Sequence, residues 1–134
     1  MKPPKVLAFG EVLWDLLPSG AVLGGAPFNF AYRLSALGDE GIMASRVGTD
    51  ELGRRAMETV ARLGMGTEHI QQDPEHPTGT VEVSFDEDNN PDYVIIPDVA
   101  YDFMAPTPEL LAAAARADCL CFGTLAQRRQ ESGR

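Results

Sequence analysis

Positive charge is scarce in this chain: 11 lysines and arginines stand against 20 aspartates and glutamates, a formal charge of −9. Outside Arg54-Arg55 and Arg128-Arg129 the cations are scattered, so no basic stripe exists to track a nucleic acid or an anionic membrane surface. Long apolar runs are missing as well, and none approaches the roughly 18 residues of a membrane span. The amino-terminal Met1-Lys2-Pro3-Pro4-Lys5 leads into only a short apolar segment, unlike a secretory leader. There are 2 cysteines. Cys119 and Cys121 lie two apart in an apolar run, where strand geometry sends them to opposite faces. That spacing suits neither a disulfide nor a zinc knuckle, and buried, reduced thiols in a cytoplasmic protein are expected. His69 and His76 lack the thiol or carboxylate company of a metal site and read as surface residues. No phosphate-binding G-x-x-x-x-G-K-S/T or G-x-G-x-x-G is present.

With 134 residues and 44% hydrophobic content, the chain has the length and composition of one soluble globular domain. Lys5 to Gly10 reads as a buried strand, and Val12 to Leu23 as an excursion folded back at Pro18-Ser19-Gly20. A helix follows to Gly38, with Phe30, Leu34 and Leu37 at helical spacing. Gly41 to Val47 is the next strand. The helix Glu51 to Leu63 then opens on Thr49 or Asp50 as cap and carries Leu52, Ala56, Val60 and Leu63 as its apolar stripe. Strand and helix alternating in this way predict βαβ units and a parallel sheet. The pattern then breaks. His69 to Gln72 is a short strand, and Thr78 to Phe85 alternates Val81, Val83 and Phe85 with polar residues. After the turn at Asp86 to Pro91, Asp92 to Ile96 returns as the second arm of a hairpin. Thr107-Pro108-Glu109 opens a helix to Ala117, and Asp118 to Phe122 is a further buried strand. The segment after Gln127 is polar and unpatterned.

Two features have chemical potential. Gly24 and Gly25, followed by Pro27 in the first helical turn, allow close backbone approach where free N–H groups gather, and Asn29 adds a carboxamide there. The same pattern also serves as a tight turn with a polar cap. Asp15 interrupts the apolar run Val12 to Leu17 and must be solvated, paired or used.

Taken together, Gly24-Gly25-Ala26-Pro27-Phe28-Asn29-Phe30-Ala31, Gly38 and Gly48 resemble the amino-terminal signature of the ribokinase-like (PfkB) carbohydrate kinases. Gly10-Glu11 with Asp15 and Pro18 is similar to that family's opening strand and substrate aspartate. Val47-Gly48-Thr49-Asp50-Glu51-Leu52-Gly53 matches V-G-x-D-x-x-G. Val99-Ala100-Tyr101-Asp102 and Phe122-Gly123-Thr124-Leu125-Ala126 are most similar to the fructokinase branch. The resemblance runs from about Lys5 to Arg129.

It implies an α/β ribokinase-like sandwich with a small β-sheet lid, residues 1–134 forming the amino-terminal part of one kinase domain with lid strands at about 12–23 and 78–96. It implies ATP-dependent phosphorylation of a sugar hydroxymethyl, with Mg²⁺, and a homodimer joined through lid strands. Asp15, Gly24, Gly25 and Asn29 would bind the sugar; fructose is expected, with ribose, ketodeoxygluconate or a nucleoside as alternatives. The family's D-T-x-G-A-G-D segment, which supplies the catalytic base and anion hole, is absent from these residues. No catalytic or metal-binding residue is therefore expected before Arg134, and most of the nucleotide site should be missing too. The expected object is a truncated half-enzyme that holds sugar; a non-catalytic sugar-binding remnant or inactive fragment is the other reading. A dinucleotide-binding domain is disfavoured, because Gly10-Glu11 and not a glycine fingerprint follows the first strand.

Overall fold

Two four-stranded sheets account for all eight strands in the computed structural model, which describes residues 2–130. The first contains β1 (Lys5–Phe9), β4 (Glu40–Gly48), β5 (Ile70–Asp73) and β8 (Cys119–Phe122), ordered β5-β4-β1-β8 and parallel throughout. Helices α1 (Ala26–Ala36) and α2 (Glu51–Arg62) lie on one face, where Phe28, Ala31, Ala56 and Val60 pack with Ala8, Met43 and Val47. Helix α3 (Pro108–Arg116) covers the other, where Leu110 meets Leu7 and Ala44. Neighbours Leu7 and Ala8, or Met43 and Ala44, thus enter opposite cores. This is why Val6 to Phe9 of β1 and Ile42 to Ala44 of β4 are unbroken apolar runs, as strands buried on both faces tend to be.

The second sheet holds β2 (Leu13–Leu17), β3 (Gly20–Gly24), β6 (Gly79–Phe85) and β7 (Pro91–Ile95), ordered β3-β2-β6-β7. The pairs β2–β3 and β6–β7 are antiparallel hairpins, and β2 joins β6 in parallel. Leu13, Val81 and Val83 turn inward on Val99, Tyr101 and Met104, while Trp14 and Leu16 serve the core under α1 and α2.

Several expectations need correction. In α1 the buried residues are Pro27, Phe28 and Ala31, whereas Phe30 is 40% and Leu37 82% exposed. The helix is rotated because the Pro27 ring occupies the space a Cβ on Gly10 would need, and the Ala31 carbonyl is seated against Gly41. In α2 Ala56 and Val60 are buried as expected, but Gly53 joins them and Leu63 is largely exposed. Strand β8 is not buried: Leu120 and Phe122 are exposed, Cys119 is exposed and Cys121 half-buried. Its sheet edge carries only β1, so a hydrophobic sequence there lacks the second neighbour that burial requires. His76 is not a free surface residue. Its ring stacks on Phe103 and its Nδ1 lies 2.9 Å from the buried Asp73, which also accepts from Arg46 Nε at 2.9 Å.

One cluster ties the sheets together. Asp50 caps α2 by accepting from the Gly53 N–H at 2.9 Å, and its other oxygen accepts from the Thr78 N–H at 3.0 Å, just before β6. The Thr78 hydroxyl donates to Asp50 and accepts from the Gly48 N–H at 2.9 Å. Burial pushes the Asp50 carboxyl up, but the bonds from Thr78 and Gly53 outweigh it and leave the pKa below its usual value. Gly53 has no alternative, since a Cβ there would overlap the Gly48 carbonyl. Thr78→Val, which removes both hydroxyl bonds from a buried site, should lower stability by about 1–3 kcal/mol in urea unfolding. An unchanged midpoint would show that this cluster bears none of the coupling.

Candidate functional site

The region of interest forms where β1 and β8 end and α1 begins. Gly10 follows β1 and packs on Pro27; Gly123 follows β8, and a Cβ there would stand 3.4 Å from the Pro27 ring. Parallel α/β sheets characteristically place ligands at these carboxyl ends.

The four expected binding residues occupy β2, the end of β3, the start of α1 and its first turn. Asp15 lies on β2 between Val22 of β3 and Val81 of β6, half-buried on an interior strand rather than on a sheet edge. Gly24 is the buried last residue of β3, and a Cβ built on it would stand 2.8 Å from Asp15 Oδ2. Gly25 is the α1 N-cap with φ +108°, a conformation that favours glycine, and its missing side chain would collide with the Glu11 carbonyl. The Asn29 N–H makes the first helical bond, to the Gly25 carbonyl at 2.9 Å, and its residue is exposed in the first turn. Asp15 and Gly24 are therefore in contact and Gly25 follows directly, with Asn29 one turn along. Burial raises the Asp15 carboxyl pKa, and among the described residues no cation offsets it.

Two participants are not among the expected site residues. Glu11 is 4% exposed and, among the described residues, its Oε2 has no hydrogen-bond partner. Its burial raises the pKa, opposed by the N–H groups of Glu11 and Ala26 and by the charge of Arg128. The signal was available: Glu11 precedes Val12-Leu13-Trp14, so the burial argument applied to Asp15 applies to it equally. Arg128 is the second. It forks onto the buried Asp102 through Nε and Nη2 at 2.6 and 2.7 Å, donates to the Ile96 carbonyl at 2.8 Å, and lies over the Tyr101 ring. Burial pushes the Tyr101 hydroxyl up to about 12. A polar ending after Gln127 gave no hint of this clamp; its last residues, 131–134, lie outside the described region.

A groove of about 300 Å³ lies elsewhere, at the amino end of β4 between Ser35, Asp39, Glu40, Gly64 and Glu68. It is open and acidic and involves none of the residues above.

Comparison with known proteins bears on this arrangement. The family model described as "pfkB family carbohydrate kinase" matches residues 20–131. The fructokinase of Escherichia coli is 31% identical over 111 residues, covering 79% of this chain and 36% of that protein. A structure of an uncharacterized sugar kinase from Pyrococcus horikoshii superposes with a TM-score of 0.83 at 27% identity, covering 96% of this chain and 45% of that one. The same kinase has been determined in complex with ATP, with a TM-score of 0.82 at 28% identity. The fructokinase of Halothermothrix orenii shares the fold, with a TM-score of 0.81 at 24% identity. The chain spans less than half the length of these relatives.

Because the folded state holds the Asp15 proton more tightly than the unfolded chain does, the ionised carboxylate costs stability. That stability is present below the ordinary value of 3.8 and is lost as pH rises through the raised pKa. Asp15→Asn should therefore unfold at higher denaturant than the wild type at neutral pH, and the gap should close as pH falls below 3.8. Equal midpoints at neutral pH would show that the carboxylate is not desolvated.

Proposed function

The chain belongs to the pfkB family of carbohydrate kinases, and on that premise we propose that it is the sugar-binding part of an ATP-dependent, fructokinase-like kinase of the cytoplasm. The reading rests chiefly on one observation: Asp15 is seated against Gly24, and Gly24-Gly25 leads directly into the turn bearing Asn29. A carboxylate accepts from two vicinal hydroxyls, a carboxamide accepts from one and donates to another, and glycine backbone lets a sugar ring lie flat. Among the described residues no cation offsets the burial of Asp15, which favours a neutral polyol over a sugar acid. Fructose is the substrate that the E. coli relative supports; ribose, ketodeoxygluconate and a nucleoside are the competing ligands.

The second sheet serves as the lid. Asp15 lies on the strand joining its two hairpins, so closure over bound sugar would exclude the water that competes for a phosphoryl group. Strand β7 leaves Tyr93, Val94 and Ile95 exposed at a sheet edge, which supports pairing of two copies through their lids.

ATP and Mg²⁺ do not fit the described residues. A phosphate chain is welcome at a helix N-terminus, but all three here face carboxylates: Glu11 at α1, Asp50 and Glu51 at α2, Glu109 at α3. Among the described residues no group of three or more His, Cys, Asp and Glu is placed to hold a metal ion. Sugar capture is therefore the share of the reaction assigned to these residues, and no phosphoryl-transfer step is.

Isothermal titration of the 134-residue chain should give fructose binding and no heat with ATP and Mg²⁺. Asp15→Ala and Asn29→Ala should each weaken sugar binding by about 1–3 kcal/mol. Unchanged affinity in folded variants would overturn the residue assignment, and binding of neither ligand would favour an inactive fragment.

A further inference from the structure

Helix α1 has a cap with no side chain. Gly25 offers nothing to the first-turn N–H groups, no acidic residue lies in that turn, and Pro27 has no N–H to satisfy. The anion that serves this helix end comes from fourteen positions earlier in the chain, Glu11 being at the junction of β1 and β2. A Cβ built on Gly25 would stand 3.2 Å from Glu11 Cγ, and the Ala26 N–H is among the groups that favour the charged Glu11 carboxyl. Gly24, on the other side, lies against Asp15. The two glycines are thus gripped by two acidic residues, one on each.

We propose that Glu11 is a positioning residue for the sugar site: its buried carboxyl caps α1 across the chain and locks the Gly24-Gly25 floor and the Asn29 turn in register with Asp15. This rests on reading that surface as the sugar site. It does not require Glu11 to touch sugar. Its Oε2 points instead toward Gly123, where a Cβ would stand 3.6 Å away, under the loop after β8. The charged and titratable groups facing Glu11 are Arg128 and Tyr101, with Asp102 behind Arg128. Since Asp102 already takes the Arg128 fork, Glu11 shares that cation without a hydrogen bond to it.

The test uses the full chain, Glu11→Gln and Glu11→Ala, with two readouts: the Ala26 amide proton shift between about pH 4 and about pH 8, and fructose affinity near neutral pH. In the wild type the Ala26 proton should titrate with the Glu11 carboxyl, and in Glu11→Gln it should not. Glu11→Gln keeps an acceptor oxygen and should bind fructose within about threefold of wild type, while Glu11→Ala should lose about tenfold or more. If Glu11→Ala does not fold, the Ala26 titration and Glu11→Gln affinity decide. A wild-type Ala26 proton that ignores pH overturns the proposal. So does a Glu11→Ala chain that binds as wild type, or a Glu11→Gln chain weakened about tenfold or more, which would mark Glu11 as a ligand contact. A wild type that binds no sugar removes the sugar reading, and the positioning role falls with it. Wild-type binding that is indifferent to Glu11→Ala removes the positioning role alone.

Discussion

The seating of Pro27 against Gly10, and of Gly25 against the Glu11 backbone, is the constraint on which the rest of the arrangement depends. Neither glycine has room for a methyl group, and at both the obstruction is a rigid one: a proline ring or a main-chain carbonyl. Helix α1 can therefore begin at only one place relative to the carboxyl end of β1. That placement fixes the helix rotation, burying Phe28 and Ala31 and leaving Phe30 outside. It also brings Gly24 under Asp15 and sets Asn29 one turn above the diglycine. Site geometry and core packing are consequences of the same contact.

The second sheet is held to the first by polar ties as well as by the apolar packing of Trp14 and Leu16. Asp50, Thr78 and Gly48 link the end of β4 to the start of β6, and Arg128 links the end of β7 to the turn containing Tyr101 and Asp102. The buried charge of Asp102 is costly unless fully paired, and the Arg128 fork that pairs it specifies one arrangement. Gly79 belongs to the same design, since a Cβ on it would run into the Tyr101 ring. Between these anchors the outer hairpin β6–β7 is largely exposed, as an element that closes on ligand needs to be.

Much of this was legible in sequence because it is encoded locally. Alternating apolar runs and glycine stops gave the βαβ order, Val81 and Val83 marked a half-buried strand, and the Thr49-Asp50 pair and Thr107 announced helix starts. What could not be read lies in long-range geometry. The 3.6-residue period of α1 says that some face is buried, but the Gly10–Pro27 contact decides which, and that contact joins residues seventeen apart. The apolar character of Leu120 and Phe122 expresses a preference for burial without naming a covering partner, and as an edge strand β8 leaves them open. Arg128 was opaque for a related reason: its partners are distant in the chain, so no spacing rule marks it, whereas Glu11, an acid set before Val12-Leu13-Trp14, carries a burial signal but nothing that names its partners.

The account's central claim is that the diglycine turn between Asp15 and Asn29 is where this chain meets its sugar. The most direct measurement is an amide-resolved NMR titration of the labelled chain with fructose. The account predicts shift changes concentrated at Asp15, Gly24, Gly25 and Asn29, with the amino end of β4 unaffected. Perturbations gathered instead around Asp39, Glu40 and Glu68, or spread without a centre, would contradict it.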